Sequence, residues 1–138
     1  MPSRKIEDLH PDLQPVCREF MRRCAAAGLD ILVTCTYRSA AEQDELYTHG
    51  RNGNPGPRVT NARGGQSAHN VTTLDGLPAA RAFDIVPMVA GKPMWSDKHL
   101  AWQQAGQIGM ALGLNWYGRI GATFREFPHF ELQRAVER

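Results

Sequence analysis

Gly65-Gln66-Ser67-Ala68-His69-Asn70 leads through a polar run into Ala79-Ala80-Arg81-Ala82-Phe83-Asp84-Ile85-Val86-Pro87, and the rest of the 138-residue chain is arranged around this stretch. A short echo, Glu126-Phe127-Pro128-His129-Phe130-Glu131, follows near the C-terminus. Two histidines and an aspartate are donor types that hold zinc and leave a fourth position open, as catalytic rather than structural sites do. Sixty residues separate His69 from His129, which excludes a His-Glu-x-x-His helix and requires the tertiary fold to assemble the set. Glu126 precedes His129 by three residues, a separation that places two side chains on opposite faces of an extended segment. A bend at Pro128 is needed to bring both to one place.

Outward from that core, residues 81–86 predict a strand ended by Pro87. A partner strand is expected over residues 29–37, where Ile31, Leu32 and Val33 are apolar and Thr34, Thr36 and Tyr37 favour strands. Before it, Leu9, Leu13, Val16, Cys17, Phe20 and Cys24 recur at three- and four-residue steps, predicting a packing helix over 11–27 stopped by Gly28. Pro15 is compatible with that helix only in its first turn. Ser39-Ala40-Ala41-Glu42 is a capping box that opens a second helix closed by Gly50. Arg38 therefore falls at a strand-to-helix junction. Residues 51–65 are loop, dense in turn formers, and no Gly-x-x-x-x-Gly-Lys pattern supports phosphate binding there.

Downstream, Ala90-Gly91-Lys92-Pro93 turns the chain, and Ser96 is the expected cap of a third helix reaching Leu112. Leu100, Ala105, Ile108 and Leu112 are its expected core face. Residues 114–117 predict a short strand, 118–125 a loop, 127–132 a last strand carrying His129, and 133–138 a charged, fraying tail. Helices and strands come in separated blocks with few parallel crossovers. The expected class is α+β, a small, mainly antiparallel sheet with about three helices, in one domain over residues 1–138.

A net charge of +2 leaves no nucleic-acid footprint. No run is long enough to span a membrane, and the polar segment 1–8 lacks the apolar core of a secretory signal, so synthesis and retention in the cytoplasm until release are expected. Three cysteines without a Cys-x-x-Cys pair read as buried free thiols, with Cys17 and Cys24 about 10 Å apart along a helix. Of five histidines, His10, His49 and His99 read as surface residues near helix ends.

Ser67-x-His69, the later Ala82-x-Asp84 and the closing Glu126-x-Pro128-His129-Phe130-Glu131 resemble the zinc D-Ala-D-Ala carboxypeptidase and L-alanyl-D-glutamate endopeptidase family, which includes many phage endolysins. Thr36-Tyr37-Arg38-Ser39, Glu42-Gln43, Leu46-Tyr47 and Arg58-Val59-Thr60-Asn61-Ala62 extend the resemblance from about Leu9 to Leu132. The family pattern places the aspartate seven positions after the histidine. Here His69 and Asp84 are fifteen apart, leaving eight additional residues around 71–78. Asp75 is the rival ligand. Asp84 is preferred because it keeps the Ala-x-Asp context and opens an apolar strand, whereas Asp75-Gly76 reads as a turn. The insert fits a substrate rim, a partner contact or a tolerated decoration.

The resemblance implies a hedgehog/D,D-peptidase fold, one zinc ion held by His69, Asp84 and His129, and metal-assisted amide hydrolysis. It implies Glu126 as general base, with Glu131 as the alternative base or a supporting residue. It implies Arg38 as substrate-binding and charge-stabilising, a task suited to guanidinium geometry. Gln43 is a candidate substrate contact or a support for Arg38, and Ser67 is a backbone cap or a substrate contact. The expected activity is that of a peptidoglycan peptidase, a phage or prophage endolysin cutting L-Ala-D-Glu in the stem peptide and acting on the wall after release. The alternatives are a D-Ala-D-Ala carboxypeptidase and a non-catalytic zinc-containing wall-binding module. The stem peptide is the expected partner of a monomeric chain with no nucleic-acid partner and no stable membrane insertion.

Overall fold

Alternation along strand β2 (Ala82–Val89) sends Phe83 and Ile85 to one face and Asp84 to the other in the computed structural model of the protein, which describes residues 1–51, 53–54, 56–119 and 125–133. β2 pairs antiparallel with β1 (Asp30–Cys35), β3 (Lys92–Pro93) and β5 (His129–Leu132), and β5 pairs antiparallel with β4 (Leu114–Trp116). The main strand order is β1-β2-β5-β4, with β3 on the far end of β2. Three helices complete the architecture: α1 (Gln14–Ala26), α2 (Ala40–Tyr47) and α3 (Leu100–Ala111). This is the α+β arrangement expected from the separated blocks. Pro15 lies in the first turn of α1, where its missing N–H costs nothing.

The core face is aromatic. Phe83 stacks on Phe130 at 5.6 Å, and Phe20 of α1 tilts against both, at 5.4 and 4.9 Å. Trp116 stacks on Phe130 at 6.2 Å. These rings reach the backbone of α3, because a Cβ at Gly106 would run into the Trp116 ring and one at Gly109 into Phe130. The buried residues of α3 are accordingly Ala101, Trp102, Ala105, Gly106 and Gly109. Leu100, expected in the core, is exposed, and Ile108 and Leu112 are only partly buried. Ala105 is in the core as expected, but the rest of the buried face is made by Trp102 and by the small residues Ala101, Gly106 and Gly109, which a spacing of large aliphatic residues does not reveal. Ser96 is not the cap either: His99 caps α3, its Nδ1 accepting the Ala101 backbone N–H at 3.0 Å.

Pro87 does not end its strand. Ile85 donates its N–H to the Pro128 carbonyl at 3.0 Å, and beyond the end of β5 the Pro87 carbonyl accepts the Met94 N–H at 2.8 Å on the same side. Proline can still accept there, and β2 runs on to Val89 and turns through Ala90 (φ 52°) and Gly91 (φ 76°) into β3. The expected loop over 118–125 and tail over 133–138 fall largely on residues 120–124 and 134–138, outside the described residues. All three cysteines are free and buried.

The insert closes on itself. Thr72 bridges Pro78, Thr73 donates to the Leu77 carbonyl at 2.8 Å, and Ala79 donates to the Val71 carbonyl at 2.9 Å. Its two ends are therefore neighbours, and the extra residues leave the path from His69 to Asp84 undisturbed. Asp75 is exposed in this hairpin and does not line the cleft that His69 and His129 line.

Candidate active site

The register places Asp84 directly opposite His129, as Phe83 is opposite Phe130. Both site residues thus stand on the face opposite the aromatic core. A register shift in β1 between Val33 and Cys35 puts Cys35 opposite Asp84. Without that shift, alternation would have kept Cys35 with Ile31 and Val33 on the core side; a bulge re-aims it toward the site. His69 comes from a short 3-10 turn (Ala68–Asn70) capped by Ser67, whose Oγ accepts the His69 N–H at 3.2 Å.

Three donor atoms converge. His69 Nε2 lies 3.0 Å from Asp84 Oδ1 and 3.2 Å from His129 Nδ1, and His129 Nδ1 lies 3.1 Å from Asp84 Oδ1. The outer ring nitrogens set the tautomers. His69 Nδ1 is 2.8 Å from the Thr36 carbonyl, which only accepts, so Nδ1–H donates and Nε2 keeps its lone pair. His129 Nε2–H donates to Glu131 at 2.9 Å, and Glu131 also accepts from the Tyr117 hydroxyl at 3.1 Å. Two imidazole lone pairs and a carboxylate oxygen therefore face one another at contact distance. Such an arrangement fits a cation at its centre, and the outward histidine bonds are of the kind that orient metal ligands. The donor set fits a zinc ion with a position left open. Cys35, His69 and Asp84 also offer ligand atoms within 4.8 Å of one another. The nitrogen facing Cys35 is Nδ1, at 3.7 Å, already committed to Thr36, so the thiol sits behind the ring.

Charge follows this geometry. Burial opposes ionisation of Asp84, yet the two histidines outweigh it and hold its carboxyl well below the usual range. Burial works against the charged form of His69 as well, and Asp84 overrides it, raising the pKa. His129 is raised against the same burial by Asp84 and Glu131. Glu126 moves the other way from Asp84: burial lifts its carboxyl above the ordinary glutamate value, only partly opposed by His129. Burial and the Glu131 charge push the Tyr117 hydroxyl up to about 12, so it stays a donor.

Glu126 reaches the site through the bend that its spacing demanded. The His129 N–H closes a turn onto the Glu126 carbonyl at 3.1 Å around Phe127 and Pro128. Glu126, Arg38, Ser67 and the three converging residues line one cleft of about 620 Å³. Arg38 is fixed there: Nη1 donates to Gln43 Oε1 at 2.9 Å, Nη2 to Cys35 Sγ at 3.4 Å, and Nη2 lies 3.8 Å from Asp84 Oδ2.

Gln43 takes the second of its two expected roles, a support for Arg38, and not that of a substrate contact. It is fully buried, and its amide donates to the Ala62 carbonyl at 2.8 Å and the Thr60 hydroxyl at 3.3 Å while accepting from Arg38. With no exposed surface it has nothing to offer a substrate and serves as a brace for Arg38. Ser67 lines the cleft with its oxygen already accepting a backbone N–H. Asn70, quoted in the motif but assigned no role, ties the halves together. Its side-chain amide donates to the Arg38 carbonyl at 2.8 Å and accepts from Gly65 and Ser67 N–H at 3.1 and 3.2 Å. The capping spacing from Ser67 to Asn70 was the available signal. Nothing local marked Tyr117.

Comparison with known proteins agrees with this architecture. The chain is 33% identical over 132 residues to the peptidoglycan L-alanyl-D-glutamate endopeptidase CwlK of Bacillus subtilis (strain 168), a match covering 91% of this chain and 74% of that protein. Its fold is similar to that of the crystal structure of the L-Ala D-Glu endopeptidase ChiX of Serratia marcescens, with a TM-score of 0.65 and 23% identity, covering 96% of this chain and 89% of the other. The profile of the VanY family, described as D-alanyl-D-alanine carboxypeptidase, matches residues 6–87, which carry Arg38, His69 and Asp84. By these matches the chain belongs to the VanY family of peptidases that act on peptidoglycan.

Proposed function

We propose that the protein is a zinc-dependent endopeptidase that hydrolyses the L-Ala-D-Glu bond of the peptidoglycan stem peptide. The observation that carries this reading is the convergence of His69 Nε2, Asp84 Oδ1 and His129 Nδ1, with both outer N–H groups bonded away from the centre. His69, Asp84 and His129 would hold the ion, which when bound supplies Lewis acidity for amide hydrolysis.

The remaining chemistry belongs to the chain. Glu126 takes a proton from the attacking water as its oxygen joins the carbonyl carbon, and delivers it to the amine nitrogen as the C–N bond breaks. A carboxylate lifted by burial is suited to both transfers. Arg38, braced by Gln43, presents guanidinium N–H groups to the charge that develops on the carbonyl oxygen. Glu131 and Tyr117 hold the His129 ring in place. The endopeptidase bond is preferred to D-Ala-D-Ala because CwlK, the relative matched over most of this chain, is named for it. The phage or prophage endolysin assignment rests on the motif set. No helix among the described residues is long and apolar enough to cross a membrane.

Mass spectrometry of digested peptidoglycan, with and without a chelator, tests this. Chelator-sensitive fragments with a new D-Glu amino terminus are expected. Loss of terminal D-Ala alone would replace the bond assignment with the carboxypeptidase that the family's own description names. No cleavage by zinc-loaded protein would leave a wall-binding module.

A further inference from the structure

The cleft has a wall that hydrolysis does not use. Trp95 lines it and is 59% exposed, a large apolar area left in water. The ring is not a loose surface side chain. The preceding residue, Met94, donates its backbone N–H to the Pro87 carbonyl at 2.8 Å, which anchors the segment to β2. The ring leans on Trp102, centroid to centroid 6.3 Å at 33°. Trp102 is buried, lines the same cleft and packs on Phe127 at 6.2 Å, next to the turn that carries Glu126. Its indole N–H finds no acceptor among the described residues. Asp97, two residues beyond Trp95, adds a carboxylate to this wall.

A fixed, half-exposed indole face with polar groups at its edge is suited to a flat ligand that carries C–H groups on one face and hydroxyls at its rim. A pyranose ring has that shape. In an L-Ala-D-Glu substrate the sugar is close to the reacting bond, because only L-Ala and the lactyl group of the N-acetylmuramoyl unit separate them. Two such units span about 7 Å, which keeps the sugar within reach of the wall of the cleft that holds the scissile carbonyl. A D-Ala-D-Ala bond lies at the opposite end of the stem and would leave this wall without a sugar.

We propose that Trp95, backed by Trp102, forms a glycan subsite that stacks on the N-acetylmuramoyl ring, so that the enzyme reads sugar and peptide together. This rests on the L-Ala-D-Glu reading above. The test compares kcat/KM for N-acetylmuramoyl-linked stem peptide with that for the same peptide bearing only an N-acetyl group, which keeps the amide and removes the sugar. Wild-type protein should favour the glycan-linked substrate by about tenfold, the scale of one aromatic stacking contact. Trp95→Ala should bring that ratio close to one, and Trp95→Phe should keep most of it. A wild-type ratio near one, or an equal loss on both substrates in Trp95→Ala, overturns the subsite while leaving the bond assignment intact. Failure of wild-type protein to cut either substrate overturns the bond assignment itself.

Discussion

The two faces of the β2–β5 pair differ by one residue step and by opposite physical demands. On one face, Phe83 and Phe130 stack within a core of rings, each worth about 1.5–3 kcal/mol when buried. On the other, Asp84 and His129 occupy the adjacent register positions and bring lone pairs and charge into contact. The first face is stable by shape alone. The second is held together by outward bonds, to Thr36 and Glu131, that leave its inward atoms unsatisfied by each other. The fold is therefore stabilised by one side of a ribbon and does its chemistry with the other.

Substitutions can break or sharpen that contrast. The largest effect is expected for Glu126→Gln, which keeps the shape and removes the base: kcat on stem peptide should fall by about 10²–10⁴-fold with no loss of thermal stability. A parallel drop in Tm would mean that the cleft face also supports the fold. Next is Glu131→Gln, which weakens the hold on His129. Zinc affinity, measured by competition with a chromophoric chelator, should fall about 10–100-fold while Tm of the metal-free chain stays near wild type. Unchanged affinity would show that His129 needs no orienting partner. The smallest shift is expected on the core face. Gly109→Ala forces a methyl against Phe130 and should cost about 1–3 kcal/mol, offset in part by the roughly 1 kcal/mol helix preference of alanine. Denaturant unfolding reads this directly, and kcat of the folded variant should be kept. A lost kcat would couple the two faces.

Much of the first face and the outline of the second were legible in the sequence. The helical period from Leu13 to Cys24, the Ser39–Glu42 capping box and the β1–β2 pair are local patterns, and local patterns report local structure. The face of α3 was only partly legible, because beside Ala105 it buries Gly106 and Gly109, whose role depends on Trp116 and Phe130 arriving from distant strands. The cap by His99 replaced Ser96 for a similar reason: several polar residues near a helix start compete, and packing selects one. In the site, His69, Asp84, Glu126 and His129 could be picked out by type and order. Gln43 could be placed only as either a substrate contact or a support for Arg38, since a glutamine near a helix start looks the same whether it meets solvent or a buried guanidinium.

By itself, the sequence determined the residue types, the order in which they occur and the strand alternation that separates Phe83 from Asp84. The tertiary structure decided which atoms meet. The insert was neutralised because its ends close through Val71 and Ala79, and closing a short loop costs little. The donor set was completed because antiparallel pairing brings residue 129 opposite residue 84, forty-five positions away. Periodicity is a property of neighbours in the chain, whereas a binding site is a property of neighbours in space, and only the register of β2 against β5 converts one into the other.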